Sequence, residues 1–307
     1  MRTFIYGCCV ALCVLFTGCV RGGKKASEAQ QRPYSFQVPS APGLMDPASA
    51  QGWLCEHFWD YFDFSDTTIP QRLDSTAFGA TFMTFAVMLE SSPEAGAKAM
   101  ASLMDKASAN AEMLELFSGI SRQVFGDPNS QMRNDELYLP VLETRAASPF
   151  LDDAERDKAA FQAMVAARNR VGTPAEDFSY LTIQGRPGSL YGINAPYTLI
   201  FFSNPGCDMC RAIREAMNQS AVITEMVRSR KLVVLALYPD EDTDLWLSYR
   251  DEIPSDWINA RDPGSTLYAS GLYDLKAIPS LYLLDADKTV VLKDCTDVRQ
   301  IEAALSK

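Results

Sequence analysis

Cys207-Asp208-Met209-Cys210 is the stretch of this chain whose residue types and spacing are suited to chemistry. A thiolate is a strong nucleophile, and a thiol three residues on, within one helical turn, lies within bonding reach of it. The first sulfur would attack a disulfide and the second would resolve the mixed disulfide that results. The same spacing also serves zinc, which needs four ligands. No second C-x-x-C exists, and the one histidine, His57, is remote, so zinc is the weaker reading and no metal or cofactor is expected. An inert structural disulfide is the further alternative. Asp208 sets a negative charge beside the attacking sulfur and should disfavour the thiolate, while Arg211 stands one turn on to offset it. A less stable thiolate favours the disulfide form, so the pair is expected to act as a reductant.

The other reactive residues carry less. Cys55 and Cys295 read as small buried hydrophobes, with Cys295 alternatively a third redox thiol. His57 reads as a core or boundary histidine. The acidic run Asp240-Glu241-Asp242, with Asp244, is either a solvated loop or an acid near the site.

The pair needs a rigid platform, and the residues around it supply one. Tyr197 to Phe202 is an apolar run that reads as a buried strand, Asn204-Pro205-Gly206 is a sharp turn, and a helix follows from Cys207 to about Asn218. The first cysteine then sits at a helix N-terminus, where free backbone N–H groups and the dipole favour a thiolate. A short strand is expected around Phe178–Thr182, a turn at Gln184–Gly188, and a second buried strand at Leu232–Leu237. Helical pieces at Asp242–Arg250 and Ser265–Tyr273, strands at Ser280–Leu284 and Thr289–Leu292, and a closing helix from Asp297 complete the α/β region, 173–307.

Upstream, 46–172, the apolar period is near 3.6 and the region reads as all-α. Asp46-Pro47 opens a helix that carries the aromatic stripe Trp53, Phe58, Tyr61 and Phe62. Further helices follow Asp74-Ser75 and Ser92-Pro93. A fourth runs through Met113 and Phe117 to stop at Gly126-Asp127-Pro128. A fifth spans Asn134 to Arg145 with Pro140 as a kink or break, and the last runs from Asp152 to Gly172 with Arg168 and Arg170 in its final turn. The aromatic stripes read as core first and a partner groove second.

The chain's start has a different character. Arg2 precedes an apolar run from Phe4 to Phe16 that is too short for a permanent membrane helix, so 1–18 reads as a signal peptide. Residues 19–45, rich in Lys, Gly, Ser, Gln and Pro, read as a flexible tether. The 307 residues allow two domains, and 47% hydrophobic with 22% charged residues suits a globular core. A net charge of −11 argues against nucleic acid as a partner.

Thr17-Gly18-Cys19 resembles the lipobox of bacterial lipoproteins, which implies that Cys19 is lipidated and becomes the mature N-terminus. Basic residues at Arg21, Lys24 and Lys25 then point to an outer-membrane lipoprotein facing the periplasm. The stretch from Phe178 onward resembles the thioredoxin-like family, especially extracytoplasmic thiol–disulfide oxidoreductases of the TlpA/ResA type. The resemblance rests on the C-x-x-C segment and on Ala277-Ile278-Pro279-Ser280-Leu281-Tyr282, followed by Asp285-Ala286-Asp287. It implies that Pro279 is the cis-proline beside the disulfide, leaving the preceding backbone free to pair with an incoming chain. The family's usual Trp-Cys is Gly206-Cys207 here. The helical region, with Phe58-Trp59-Asp60-Tyr61-Phe62-Asp63-Phe64 and Asp127-Pro128-Asn129-Ser130, resembles a domain of unknown function that precedes thioredoxin-like domains in Bacteroidetes lipoproteins.

The expected function is a membrane-anchored thiol–disulfide oxidoreductase with Cys207 attacking and Cys210 resolving. Its expected partners are protein thiols or disulfides, an upstream electron donor, and the membrane through the lipid. The rival is a binding or scaffold lipoprotein whose thioredoxin-like domain is only structural.

Overall fold

A computed structural model describes residues 33–307; the signal segment and Cys19 lie outside the described residues. Through residue 166 the regular structure is helical: α1 (Pro47–His57), α2 (Ile69–Arg72), α3 (Ser75–Glu90), α4 (Pro93–Ala107), α5 (Ala111–Ser121), α6 (Asp135–Ala147) and α7 (Asp153–Ala166). Short polar side chains start most of them. Asp46, Asp74, Asn110, Asn134 and Asp152 each accept hydrogen bonds from the first-turn amides that the helix leaves unpaired. Trp59 is the hub of the helical core, with Phe58, Phe62, Phe85 and Phe117 packed around it. A π turn (Arg122–Gly126) ends α5 where Gly126 meets the ring of Tyr138, which would lie 2.6 Å from any Cβ there.

Sequence expectations need correction in this half: helix α1 ends at His57, so Phe58, Tyr61 and Phe62 of the expected helical stripe lie beyond it, and Tyr61 is exposed. The tether shortens, because Tyr34 and Phe36 alternate on an extended segment that packs its rings against Phe62 and Trp59. The Tyr34 amide also donates to the Arg72 carbonyl at 3.0 Å. Helix α6 continues through Pro140, which excludes the break among the two outcomes expected there. Helix α7 stops at Ala166 rather than Gly172, since Asn169 takes a left-handed φ of 51° and turns the chain. Arg168 therefore caps no final turn; it donates to the carbonyls of Ser270 and Gly271.

The second half holds a seven-stranded sheet in the order β2-β1-β5-β4-β3-β6-β7. Its strands are β1 (Ser179–Thr182), β2 (Pro187–Ser189), β3 (Tyr197–Phe202), β4 (Leu232–Tyr238), β5 (Ile258–Arg261), β6 (Ser280–Leu284) and β7 (Val290–Leu292). Between them lie α8 (Asp208–Gln219), α9 (Ala221–Arg228), α10 (Thr243–Ser248) and α11 (Thr266–Ala269), and α12 (Val298–Leu305) closes the chain. Strands β3, β4 and β5 are parallel neighbours, whereas β6 runs antiparallel to β3. Apolar layers cover both faces, which is why β3 reads as a continuous apolar run. Leu199 and Phe201 face α8, α9 and α12, while Ile200 and Phe202 face Phe178, Tyr273 and Tyr282. An all-α part thus precedes an α/β part, as expected.

A buried ionic cluster joins the two halves. Arg133, just before α6, reaches Asp294 at 2.7 Å and Asp274 at 3.2 Å, and Asp135 meets Lys293 at 2.8 Å. Burial opposes ionisation of Asp274, yet Lys276 and Arg133 together hold its carboxyl below the usual range. Burial pushes the Asp294 carboxyl up, and Arg133 only partly offsets this. Removing Arg133 leaves two buried carboxylates short of a partner, and breaking such a pair costs about 3–5 kcal/mol. Arg133→Met should therefore lower the urea midpoint by that equivalent; a loss below about 1 kcal/mol, the range of exposed pairs, would show the cluster to be screened.

Candidate active site

Strand β3 ends at Phe202, and the chain turns through Ser203-Asn204-Pro205-Gly206 into α8. Gly206 takes φ +72°, a left-handed conformation that glycine reaches without strain. The turn delivers Cys207 as the N-cap of α8, its sulfur accepting the Cys210 backbone N–H at 3.1 Å. Cys207 and Cys210 form a disulfide across a Cα–Cα distance of 5.2 Å. The two sulfurs are not equivalent: Cys207 is half-buried at the surface, while Cys210 is 1% exposed.

The Ile278–Pro279 peptide bond is cis. Its neighbourhood to the disulfide follows from register, because β3 pairs with β6 so that Phe202 lies opposite Ser280. The residues that leave β3 and those that enter β6 then meet at one sheet end, where the Ile278 carbonyl lies 4.0 Å from the Cys207 sulfur. Sequence spacing alone does not bring Cys207, Cys210 and Pro279 together; this pairing does.

Charge around the pair is more balanced than Asp208 alone suggests. Arg211 donates to the Asp208 carboxylate at 2.6 Å, on exposed side chains. Asp240, from the acidic run, accepts from the Asn204 amide at 2.9 Å and so steadies the turn, while Asp242 caps α10. Cys295 is a free, buried thiol in the apolar cluster that also contains Cys210. Burial raises its pKa, as it does for Cys55 in the helical core, so both favour the neutral thiol. His57 pairs with Asp60 at 2.6 Å and stacks on Trp53, far from the disulfide in the other half of the chain. Among the described residues no His, Cys, Asp or Glu cluster could hold a metal ion.

Two features escaped the sequence reading. One is the ionic cluster, which brings Arg133 against Asp294, immediately before Cys295. The other is a cavity beside Cys207 lined by Arg214, Trp246, Tyr249 and Glu252. No spacing signals it, because its walls come from separate segments.

A thioredoxin-like protein from Bacteroides caccae, known by crystal structure, is 35% identical, with a TM-score of 0.83 over 89% of this chain and 98% of that one. This chain belongs to the thioredoxin-like family. Residues 19–169 match the model of a family described as Domain of unknown function (DUF5106). The C-terminal domain of an uncharacterized protein from Bacteroides fragilis is 42% identical over 46% of this chain and 100% of that one, with a TM-score of 0.45. A putative thiol-disulfide oxidoreductase from Bacteroides vulgatus is 22% identical over 46% of this chain and 97% of that one, with a TM-score of 0.40. No curated protein matches the chain.

The Asp208–Arg211 pair sets an electrostatic expectation for this thioredoxin-like site. Unit charges about 5 Å from a thiolate contribute roughly 1–3 kcal/mol between surface and bulk dielectrics. Each kcal/mol moves a two-electron couple by about 20 mV. Arg211→Ala leaves Asp208 unopposed and should make the couple more reducing; Asp208→Asn frees Arg211 and should make it more oxidising. Equilibration with glutathione buffers measures both, and shifts of the same sign would refute the assignment.

Proposed function

We propose that the protein is a lipid-anchored, extracytoplasmic thiol–disulfide oxidoreductase that exchanges disulfides with protein substrates and leans toward their reduction. The observation that carries the reading is the asymmetry of the pair: an accessible Cys207 at a helix N-terminus and a buried Cys210 one turn behind it. In the dithiol state the Cys207 thiolate attacks a substrate disulfide, forming a mixed disulfide and expelling one substrate thiolate. Cys210 then attacks the Cys207 sulfur, releasing the second substrate thiol and closing the intramolecular disulfide. The buried second thiol is reached by its neighbour and shielded from solution, so the mixed disulfide resolves rather than accumulates. An upstream dithiol donor restores the reduced pair. The Ile278 carbonyl beside Cys207 offers a backbone acceptor for an incoming chain.

Removing the resolving thiol tests this directly. Cys210→Ser should retain covalently bound partners that disappear on reduction, and Cys207→Ser should retain none. A Cys207–Cys210 pair that fails to turn over any disulfide would favour the scaffold reading.

Anchoring rests on the lipobox-like Thr17-Gly18-Cys19. Among the described residues no helix is long and apolar enough to cross a membrane. A lipid carrying several acyl chains holds a protein far more firmly than one chain. Cys19→Ala should move the protein out of the membrane fraction or block its processing; unchanged membrane association would overturn the anchor.

A further inference from the structure

Beside Cys207 the chain forms an open cavity of about 290 Å³, bounded by the start of α8 on one side and by α10 and the residues after it on the other. Gly206 leaves it open on the sulfur's side. A side chain at 206 would project toward Tyr249, whose hydroxyl lies 3.5 Å from the position of that Cβ. Trp246 and Tyr249 supply aromatic wall, and the charged lining is Arg211, Arg214 and Glu252. Each arginine is paired, Arg211 with Asp208 and Arg214 with Glu252, so the lining offers an anion guanidinium N–H donors rather than net positive charge.

Arg214 is the group best placed to bind an anion here. It is 15% exposed and donates to the Glu252 carboxylate at 2.5 Å. A guanidinium carries five N–H donors in a rigid fork. Among the described residues Arg214 donates to Glu252 alone, which leaves most of that fork unspent at the cavity. Arg211 stands at the rim, held by the exposed Asp208 at 2.6 Å. A fork of this kind is matched to a carboxylate. An occupant must also present sulfur to Cys207 and be small, since the cavity is at the low end of the roughly 300–1,000 Å³ typical of ligand sites.

We propose that this cavity binds low-molecular-weight disulfides that carry a carboxylate close to sulfur, the class of cystine, with Arg214 as the carboxylate anchor. The assignment rests on the exchange chemistry proposed above and names a substrate class for it. With the carboxylate on Arg214, the Cys207 thiolate attacks the near sulfur. The Cys207–substrate S–S bond forms, the substrate's own S–S bond breaks, and one thiolate leaves and takes a proton from water. Cys210 then displaces the second thiolate. Two electrons pass from the enzyme dithiol to the small disulfide, giving two small thiols, and a protein dithiol re-reduces the pair.

The test is the rate at which the reduced full chain is oxidised by three disulfides: dianionic 3,3′-dithiodipropionate, neutral 2-hydroxyethyl disulfide and dicationic cystamine. Each rate is divided by that of free dithiothreitol with the same disulfide, which removes intrinsic leaving-group differences. The normalised preference for the dianion over the neutral compound should be at least about tenfold, as expected for hydrogen bonds to a charged group. Arg214→Gln should abolish that preference, and Glu252→Gln, which frees the fork, should increase it. A preference within about twofold of unity in the wild type, or one unmoved by Arg214→Gln, would overturn the proposal. Should Arg214→Gln not fold, Glu252→Gln decides by its opposite sign. If none of the disulfides reacts, the exchange reading itself fails. Binding of the unreactive 3-(methylthio)propionate to the oxidised protein, followed by NMR, then judges the cavity separately, and absence of binding overturns it.

Discussion

Strand β6 lies antiparallel to β3 with Ser280 opposite Phe202, and that pairing underlies everything the α/β half can do. One strand ends where the nucleophile begins, and the other begins where the cis-proline ends. A slip of one residue would turn every side chain of β6 to the opposite face of the sheet. Tyr282 and Leu284 now pack with Phe202 and Tyr273, while Leu281 and Leu283 pack with Cys210, Ile213 and Ile301. Both sets are fully buried, so the register is held by two cores at once. The proximity of the Ile278 carbonyl to the Cys207 sulfur is a consequence of this packing rather than of any attraction between the two loops.

The same end of the sheet explains how the helical half joins the fold. Its cluster with Asp274 and Asp294 brackets β6 and β7 in sequence, and Arg133 spans both acids from the other half of the chain. Lys293 strengthens the joint by donating to the carbonyls of Ala166 and Arg168 as well as pairing with Asp135. Asn169 adds a part-buried bond to the Leu272 carbonyl at 2.7 Å. These contacts are polar and directional, unlike the aromatic packing inside the helical core. Buried charges contribute little net stability when paired but are costly to separate, so they fix one relative arrangement of the halves. The helical half thereby contacts the segments that precede β6 and follow β7, next to Pro279 and Cys295.

Much of this architecture was legible in the sequence because it follows from long apolar runs and from capping residues. The runs Tyr197–Phe202 and Leu232–Leu237 announced β3 and β4, and Asp46, Asp74 and Asn134 announced their helices. Elements whose stability comes from neighbours were not legible. Strand β5 alternates Ile258 and Ala260 with Asn259 and Arg261, and exists because β4 and β1 pair with it on either side. Strand β2, Pro187–Ser189, carries the proline and glycine of a turn and is a strand only through its pairing with β1. Helix α9 was hidden because Ser220 both ends α8 and caps α9, with no glycine or proline between them. The C-x-x-C pair was legible from local spacing, but Arg214, Tyr249 and Glu252 converge on it only after folding.

Position 206 shows how a conformational requirement and a chemical one meet in a single residue. The chain must turn sharply between a buried strand and a helix whose N-cap is the nucleophile, and the residue before that cap takes a left-handed φ. Glycine meets this demand without strain, whereas an aromatic residue would be disfavoured at that φ. Its lack of a side chain also leaves open the space between the turn and the Tyr249 hydroxyl, in the cavity that Cys207, Arg214 and Glu252 line. The helix that begins at the nucleophile thus carries two arginines, Arg211 in an exposed pair with Asp208 and Arg214 in a partly buried pair with Glu252 from across the cavity. In each pair the carboxylate neutralises a guanidinium that would otherwise stabilise the thiolate. Exposed pairs are strongly screened and buried ones less so. Of these four charged side chains Arg214, at 15% exposed, is the least accessible to solvent and so the least screened.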